Sequence, residues 1–324
     1  MCVINNVRTA FYLYTNIVEW INRVKPVAFW ILVVAILYQF ANAILVHYVF
    51  FPSGMFHPIH RATGGIITAT FQGYVLEALV MGFFLCYLGG LRAKDFAIRA
   101  KDILPAIGLT LFAWGMIQTI PMLEGQALRI DSDWGDFSIV KHNLSEFFMS
   151  QVFGNALYEE LFFRALLISQ FAIIFAKKFS STWALLFAIV CACSIFALVH
   201  IPHRLINGNA FEVVMLHSMP NLFFMGLVFV VIFLLTKNIF VAVGVHALNN
   251  ASPNIFEGIN QHRASEFIAV LLLFFFSRWC YRKWRKIKIE GEETKGYKVM
   301  LISLSIVAVF KDDILGVIHS FTNL

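Results

Sequence analysis

Residues 147–176 read FFMSQVFGNALYEELFFRALLISQFAIIFA. As a helix, this run is long enough to cross the ~30 Å hydrocarbon core of a bilayer. It nevertheless carries Glu159, Glu160 and Arg164 near its middle. A charge at that depth costs at least ~2.5 kcal/mol on insertion scales, so the trio needs internal partners or water. The rest of the chain agrees with a membrane setting. Of its 324 residues, 60% are hydrophobic and 14% are charged, against about 25% charged in soluble domains. Mean hydropathy is +0.76, and 35 residues are phenylalanine. The expected fold class is all-α, a polytopic transmembrane helical bundle of about eight spans.

The spans fall near 27–51, 67–91, 103–123, 147–176, 181–201, 211–235, 239–252 and 264–281, the seventh being short. This divides the chain into a cytoplasmic or interfacial segment at 1–26, a bundle at 27–281 and a basic cytoplasmic tail at 282–324. The tail contains a short apolar stretch, 299–310, that suits the interface better than a crossing. The connections alternate in charge. Arg8, Arg23 and Lys25 precede span one, four bases lie in RAKDFAIRAKD (92–102), and Lys177, Lys178 and Lys237 follow later spans. The intervening segments are weakly charged or, at 124–146, acidic, with Glu124, Asp131, Asp133, Asp136 and Glu146. The excess of bases on one side predicts cytoplasmic termini and an external acidic loop. The basic RWCYRKWRKIK stretch (278–288) follows an apolar run, which suits anionic lipid headgroups and gives no reason to invoke nucleic acid. Cys2, Cys86, Cys191, Cys193 and Cys280 are odd in number and suggest no disulfide framework. The first 26 residues lack the apolar core and cleavage site of a signal peptide.

Three apolar segments carry polar pairs at helical spacing. Glu160 and Arg164 are four apart and share a face, whereas Glu159 lies about 100° round the helix, free to enter a cavity. Phe196 and His200 are four apart at the end of span five, and His246 and Asn250 are four apart in span seven. Gly244 would admit a neighbouring helix closely. Each pair alone has a plain structural explanation: a buried ion network, an end-of-helix histidine, an interhelical hydrogen bond. Three such pairs on three helices favour one shared site. Glu77 is the chief rival, a mid-span acid able to line an ion or proton path. Gln118, His217 and Asn221 are further polar residues in spans, while His203 and Arg204 read as an interfacial end.

The three segments resemble the CPBP family of intramembrane proteases, which includes CAAX-prenyl endopeptidases and bacteriocin-processing or immunity proteins. The family pattern EExxxR, FxxxH, HxxxN is matched by Glu159-Glu160-xxx-Arg164, Phe196-xxx-His200 and His246-xxx-Asn250. Ala165 departs from it, since glycine commonly follows the arginine. The resemblance implies an intramembrane endopeptidase acting on a membrane-embedded or lipid-tethered peptide or protein, in a prokaryotic cell membrane. It also implies roles. Glu159 is the general base, His200 positions and activates water, Glu160 held by Arg164 supports the site, and His246 and Asn250 stabilise the oxyanion. No cofactor is preferred. If a metal is present, Glu159, His200 and His246 are the ligands, and two histidines with a glutamate can hold zinc, although the spacing is not HExxH.

Two other functions stand beside hydrolysis: a non-catalytic immunity or regulatory protein of the same fold, and a proton- or cation-coupled transporter using Glu77, Glu159 and Glu160. Depth also bears on the choice. Counted at about 1.5 Å per residue from the span ends, Glu159 falls near mid-membrane, His200 near the outside and His246 nearer the cytoplasm. Straight spans would keep them apart. Convergence therefore requires different helix ends, or unequal tilted helices around a wet cavity.

Overall fold

The computed structural model describes residues 20–119, 129–206 and 208–256. The expected eighth span, the tail at 282–324 and most of the segment at 1–26 lie outside these residues. Within them the protein is an all-α membrane bundle. Five helices are long and apolar enough to cross a bilayer: Phe29–Ser53 (α1), Ala69–Leu88 (α2), Ala93–Gln118, Ser181–Ile206 and Phe211–Thr236 (α7). The regular α-helical part of the third is Ile103–Gln118 (α3), and that of the fourth is Ser181–Leu198 (α6).

The fourth expected span divides in two. Helix runs from 137 to 153 (α4) and from 155 to 175 (α5), with Gly154 between them at φ −107° and ψ −105°, outside helical geometry. A side chain at Gly154 would meet the Met149 carbonyl at 2.9 Å and the Phe71 backbone of α2 at 3.6 Å. The helix breaks at a point of close approach to α2. Part of the expected acidic loop is helical as well, since α4 starts at Phe137. Asp136 caps it by accepting from the backbone N–H and hydroxyl of Ser138, both at 2.7 Å. Those bonds, the hydroxyl foremost, hold the exposed Asp136 carboxyl below its ordinary pKa. Ile239–Ala251 (α8) is the short seventh element.

Outward-facing Leu37, Leu79, Leu104 and Leu111 remain exposed, an apolar surface that fits lipid contact. The most buried long helix is α7, which packs against α6 and α8 at the centre of the core. Polar ties secure both ends of the bundle. At one end Gln170 of α5 bonds Val27 N–H and the Lys25 carbonyl, each at 3.0 Å, Arg99 donates to the Lys237 carbonyl at 2.7 Å, and Asn238 donates to the Asp102 carbonyl at 2.7 Å. The basic connections gather here. At the other end the segment after α8 is clamped: Trp114 and Trp134 donate to the carbonyls of Pro253 and Asn254 at 2.8 and 2.6 Å, and Gln118 accepts from Ile255 N–H at 2.7 Å.

Gly244 behaves as its sequence context suggests, because a methyl group there would collide with the Thr110 side chain of α3. Gly244→Ala is expected to destabilise the protein by about 1–3 kcal/mol through overpacking. Thr110→Ala in the same chain should restore part of that loss, as measured by thermal unfolding in detergent.

Candidate active site

The break at Gly154 resolves the conflict over depth. Glu159 sits in the first turns of α5, only about 6 Å of helical rise from its start, rather than midway along a 30-residue span. His200 lies two residues past the end of α6, and His246 lies five residues before the end of α8. All three are therefore near the end of the bundle opposite the basic connections, and the fold brings them together.

Their contacts are specific. Glu160 Oε2 is 3.2 Å from Arg164 Nε, and Glu160 Oε1 accepts from His246 Nδ1 at 2.8 Å. Both members of the ion pair are fully buried. None of the three guanidinium nitrogens of Arg164 has a hydrogen-bond partner among the described residues. The cation instead lies over aromatic faces, 4.3 Å from the Phe196 ring centroid and 5.3 Å from that of Phe229. A delocalised, weakly hydrated guanidinium tolerates such a place better than a lysine ammonium. The same two rings position the imidazoles. His246 stacks on Phe229 at 4.3 Å, and His200 meets Phe196 edge-on at 4.8 Å. The phenylalanine of FxxxH is thus a shared wall for cation and imidazole.

Glu159 points into the cavity. Its Oε1 is 3.8 Å from His200 Nε2, and its Oε2 is 3.7 Å from His246 Nε2. His200 Nδ1 donates to the Phe196 carbonyl at 2.7 Å. In the neutral ring its Nε2 then carries a lone pair toward Glu159, and His246, donating from Nδ1 to Glu160, presents its Nε2 in the same way. Two imidazole nitrogens consequently flank one carboxylate at distances too long for direct hydrogen bonds.

The cavity has a volume of about 490 Å³. Asn250 lines it, donating to Gln151 Oε1 at 3.0 Å and keeping a second amide N–H available. Asn249 and Asn221 also line it. Packing adds residues that helical spacing did not connect to this site. Tyr74 of α2 donates to Glu159 Oε1 at 3.4 Å. His47 of α1 stacks on His203 at 4.4 Å, and both line the cavity with Arg204, which is more than an interfacial end. The aromatic residues and histidines of α1 and α2 carry no local signal of this, because only the packing brings them to α5.

Residues 142–252 match the family model described as Rce1-like, type II CAAX prenyl endopeptidase Rce1-like. The match covers about a third of the chain and contains Glu159, Glu160, Arg164, His200, His246 and Asn250. No curated protein and no solved structure matches the chain. The chain is therefore similar to the Rce1-like endopeptidases over the segment that builds the buried Glu/His/His cluster.

Replacing Arg164 by Met keeps bulk against Phe196 but leaves Glu160 without its cation. The expected loss is on the order of 3–5 kcal/mol, and adding Glu160→Gln should recover most of it. Chemical unfolding of the two single variants and the double variant measures this coupling.

Proposed function

We propose that this protein is an intramembrane endopeptidase that hydrolyses a peptide bond in a membrane-embedded or lipid-tethered substrate. The observation that carries the reading is Glu159, buried at the cavity wall and flanked by two imidazole Nε2 atoms. Gaps of 3.7 and 3.8 Å suit an oxygen that bridges carboxylate and imidazole, such as an attacking water. Glu159 takes a proton from that water while His200 Nε2 accepts its second hydrogen bond. The water oxygen adds to the scissile carbonyl carbon, and the carbonyl oxygen becomes an oxyanion.

Asn250 donates to that oxyanion through its spare N–H. His246 can donate from Nε2 only when both ring nitrogens are protonated, and Glu160 against Nδ1 supplies the countercharge. Donors set in advance around developing charge are effective in a cavity of low polarity. When the tetrahedral intermediate collapses, the C–N bond breaks and Glu159 returns its proton to the leaving amine. The positive-inside rule, applied to the basic end of the bundle, puts the cavity on the non-cytoplasmic side with both termini inside. The basic connections then lie against anionic lipid.

A zinc-dependent variant is favoured by one observation: both Nε2 lone pairs point at Glu159, the donor set of a three-ligand site, with Glu160 supporting His246 from behind. Tetrahedral zinc would need N···O separations of about 3.3 Å, a contraction of a few tenths of an ångström. Zinc held by Glu159, His200 and His246 would polarise water. Glu159 would then be spent as a ligand, and Glu160 is already committed to Arg164 and His246. The metal-free scheme leaves Glu159 free to act as the base and is the one proposed.

Glu159→Gln is expected to lower cleavage of an apolar membrane peptide library by about 10²–10⁴-fold, read as new termini by mass spectrometry. Cleavage by the variant at the wild-type rate would sink the base assignment. Asn250→Ala should lower kcat by about 10²–10³-fold with KM little changed, as for loss of one oxyanion donor. A chelator should leave the wild-type rate unchanged. Inhibition reversed by zinc would establish the zinc-dependent variant instead.

A further inference from the structure

The match to known endopeptidases stops at residues 142–252, yet α1 and α2 build a second wall of the cavity. On that wall Glu77 is a buried carboxyl for which the hydrolytic scheme has no use. It lines the cavity, is 3% exposed, and its Oε1 has no hydrogen-bond partner. None of the ion pairs among the described residues includes it. Its other neighbours are the Tyr158 hydroxyl and the Gln39 amide group, which bond each other at 2.8 Å. Tyr74 lies one turn away on the same helix, its ring 5.7 Å from that of Tyr158. An acid beside tyrosine rings, with amide and hydroxyl groups supporting it, is an environment that suits an ammonium or guanidinium ion.

The cavity is also polarised. Its acids, Glu77 and Glu159, come from α2 and α5, while Arg204 and the stacked pair His47 and His203 come from α1 and the segment after α6. A basic group entering it is favoured on the wall that carries these acids, Glu77 among them. Position along the helix indicates how far from the reaction that group would lie. Tyr74 touches Glu159, and Glu77 is three residues further along α2, about 4.5 Å deeper toward the basic end of the bundle. One extended peptide residue spans about 3.3–3.6 Å. A group at Glu77 therefore belongs to a substrate residue within two positions of the cut.

We infer that Glu77, with Tyr74 and Gln39 beside it, forms a cation subsite that selects substrates carrying a basic group within two residues of the scissile bond. The placement relative to the cut rests on the hydrolase reading, whereas cation binding itself does not. The test uses N-acetylated apolar peptides in detergent micelles, with lysine or norleucine at each of four positions around a cleaved bond. In the wild type, lysine at one position should raise kcat/KM over norleucine by at least about tenfold. Glu77→Gln should bring that ratio close to one.

Affinity is measured in parallel on Glu159→Gln protein, which needs no turnover, and the lysine peptide should bind at least about tenfold more tightly than its norleucine twin. Omitting the acetyl group from norleucine peptides shows whether a chain-terminal amine can serve as the same cation, which would support the subsite. Equal affinity for lysine and norleucine peptides at every position overturns the inference, whether or not cleavage occurs. So does a lysine preference that survives Glu77→Gln. Cation-dependent binding without any cleavage would uphold the subsite and fault the hydrolase reading alone.

Discussion

A carboxylate and a guanidinium with almost no access to solvent, Glu160 and Arg164, set the constraint to which the rest of the molecule conforms. Removing either charge from water is costly, and the pair is tolerable only if its geometry and remaining partners are good. The carboxylate fills its second oxygen with His246 from α8. The guanidinium rests on phenylalanines from α6 and α7. One ion pair on α5 thus specifies where three other helices must pack, and two of those contacts also position a histidine. Apolar packing alone would allow helices to slide or rotate, whereas a buried charge with a single satisfactory arrangement does not.

Glu159 benefits from its neighbour's commitment. Because Glu160 takes the cation and the imidazole N–H, Glu159 makes only one long contact, from Tyr74, and faces two imidazole nitrogens across gaps that suit an inserted oxygen. Adjacent, chemically identical side chains acquire different tasks from the ~100° that separates them on the helix. The cavity in front of Glu159 owes its place to the break at Gly154, which ends α4 and starts α5 close to Glu159. The amide-bearing ends of α4 and α8 meet there, with Gln151 holding Asn250.

Much of the site was legible because helical periodicity is a local property. The spacing of Glu160 and Arg164, of Phe196 and His200, and of His246 and Asn250 requires only a helical course; the first and third pairs lie within helices, and His200 sits in the turn that directly follows α6. Apolar length likewise identified the bundle, five of whose members have the length and hydropathy of full spans among the described residues. Depth was not legible. A break at Gly154 leaves no hydropathy signal when both flanks are apolar, so a single span was expected where two helices meet. Tyr74 and Gln39 were hidden for a related reason: each is an ordinary member of an apolar helix until tertiary packing turns it toward Glu159 or Tyr158. Glu77 stood out by charge, but its surroundings of tyrosine and amide depend on contacts across three helices.

The central claim is that Glu159, His200 and His246 enclose one pocket in which water attacks a peptide bond. The most direct test is an experimental structure of Glu159→Gln protein with a bound, uncleaved membrane peptide. The account predicts a backbone carbonyl carbon of that peptide within about 4 Å of the residue 159 side chain, reach enough for one intervening water, with its oxygen turned toward His246 and Asn250. A peptide bound elsewhere on the bundle, with the cavity holding only an ordered ion or solute between Glu77 and residue 159, would contradict it.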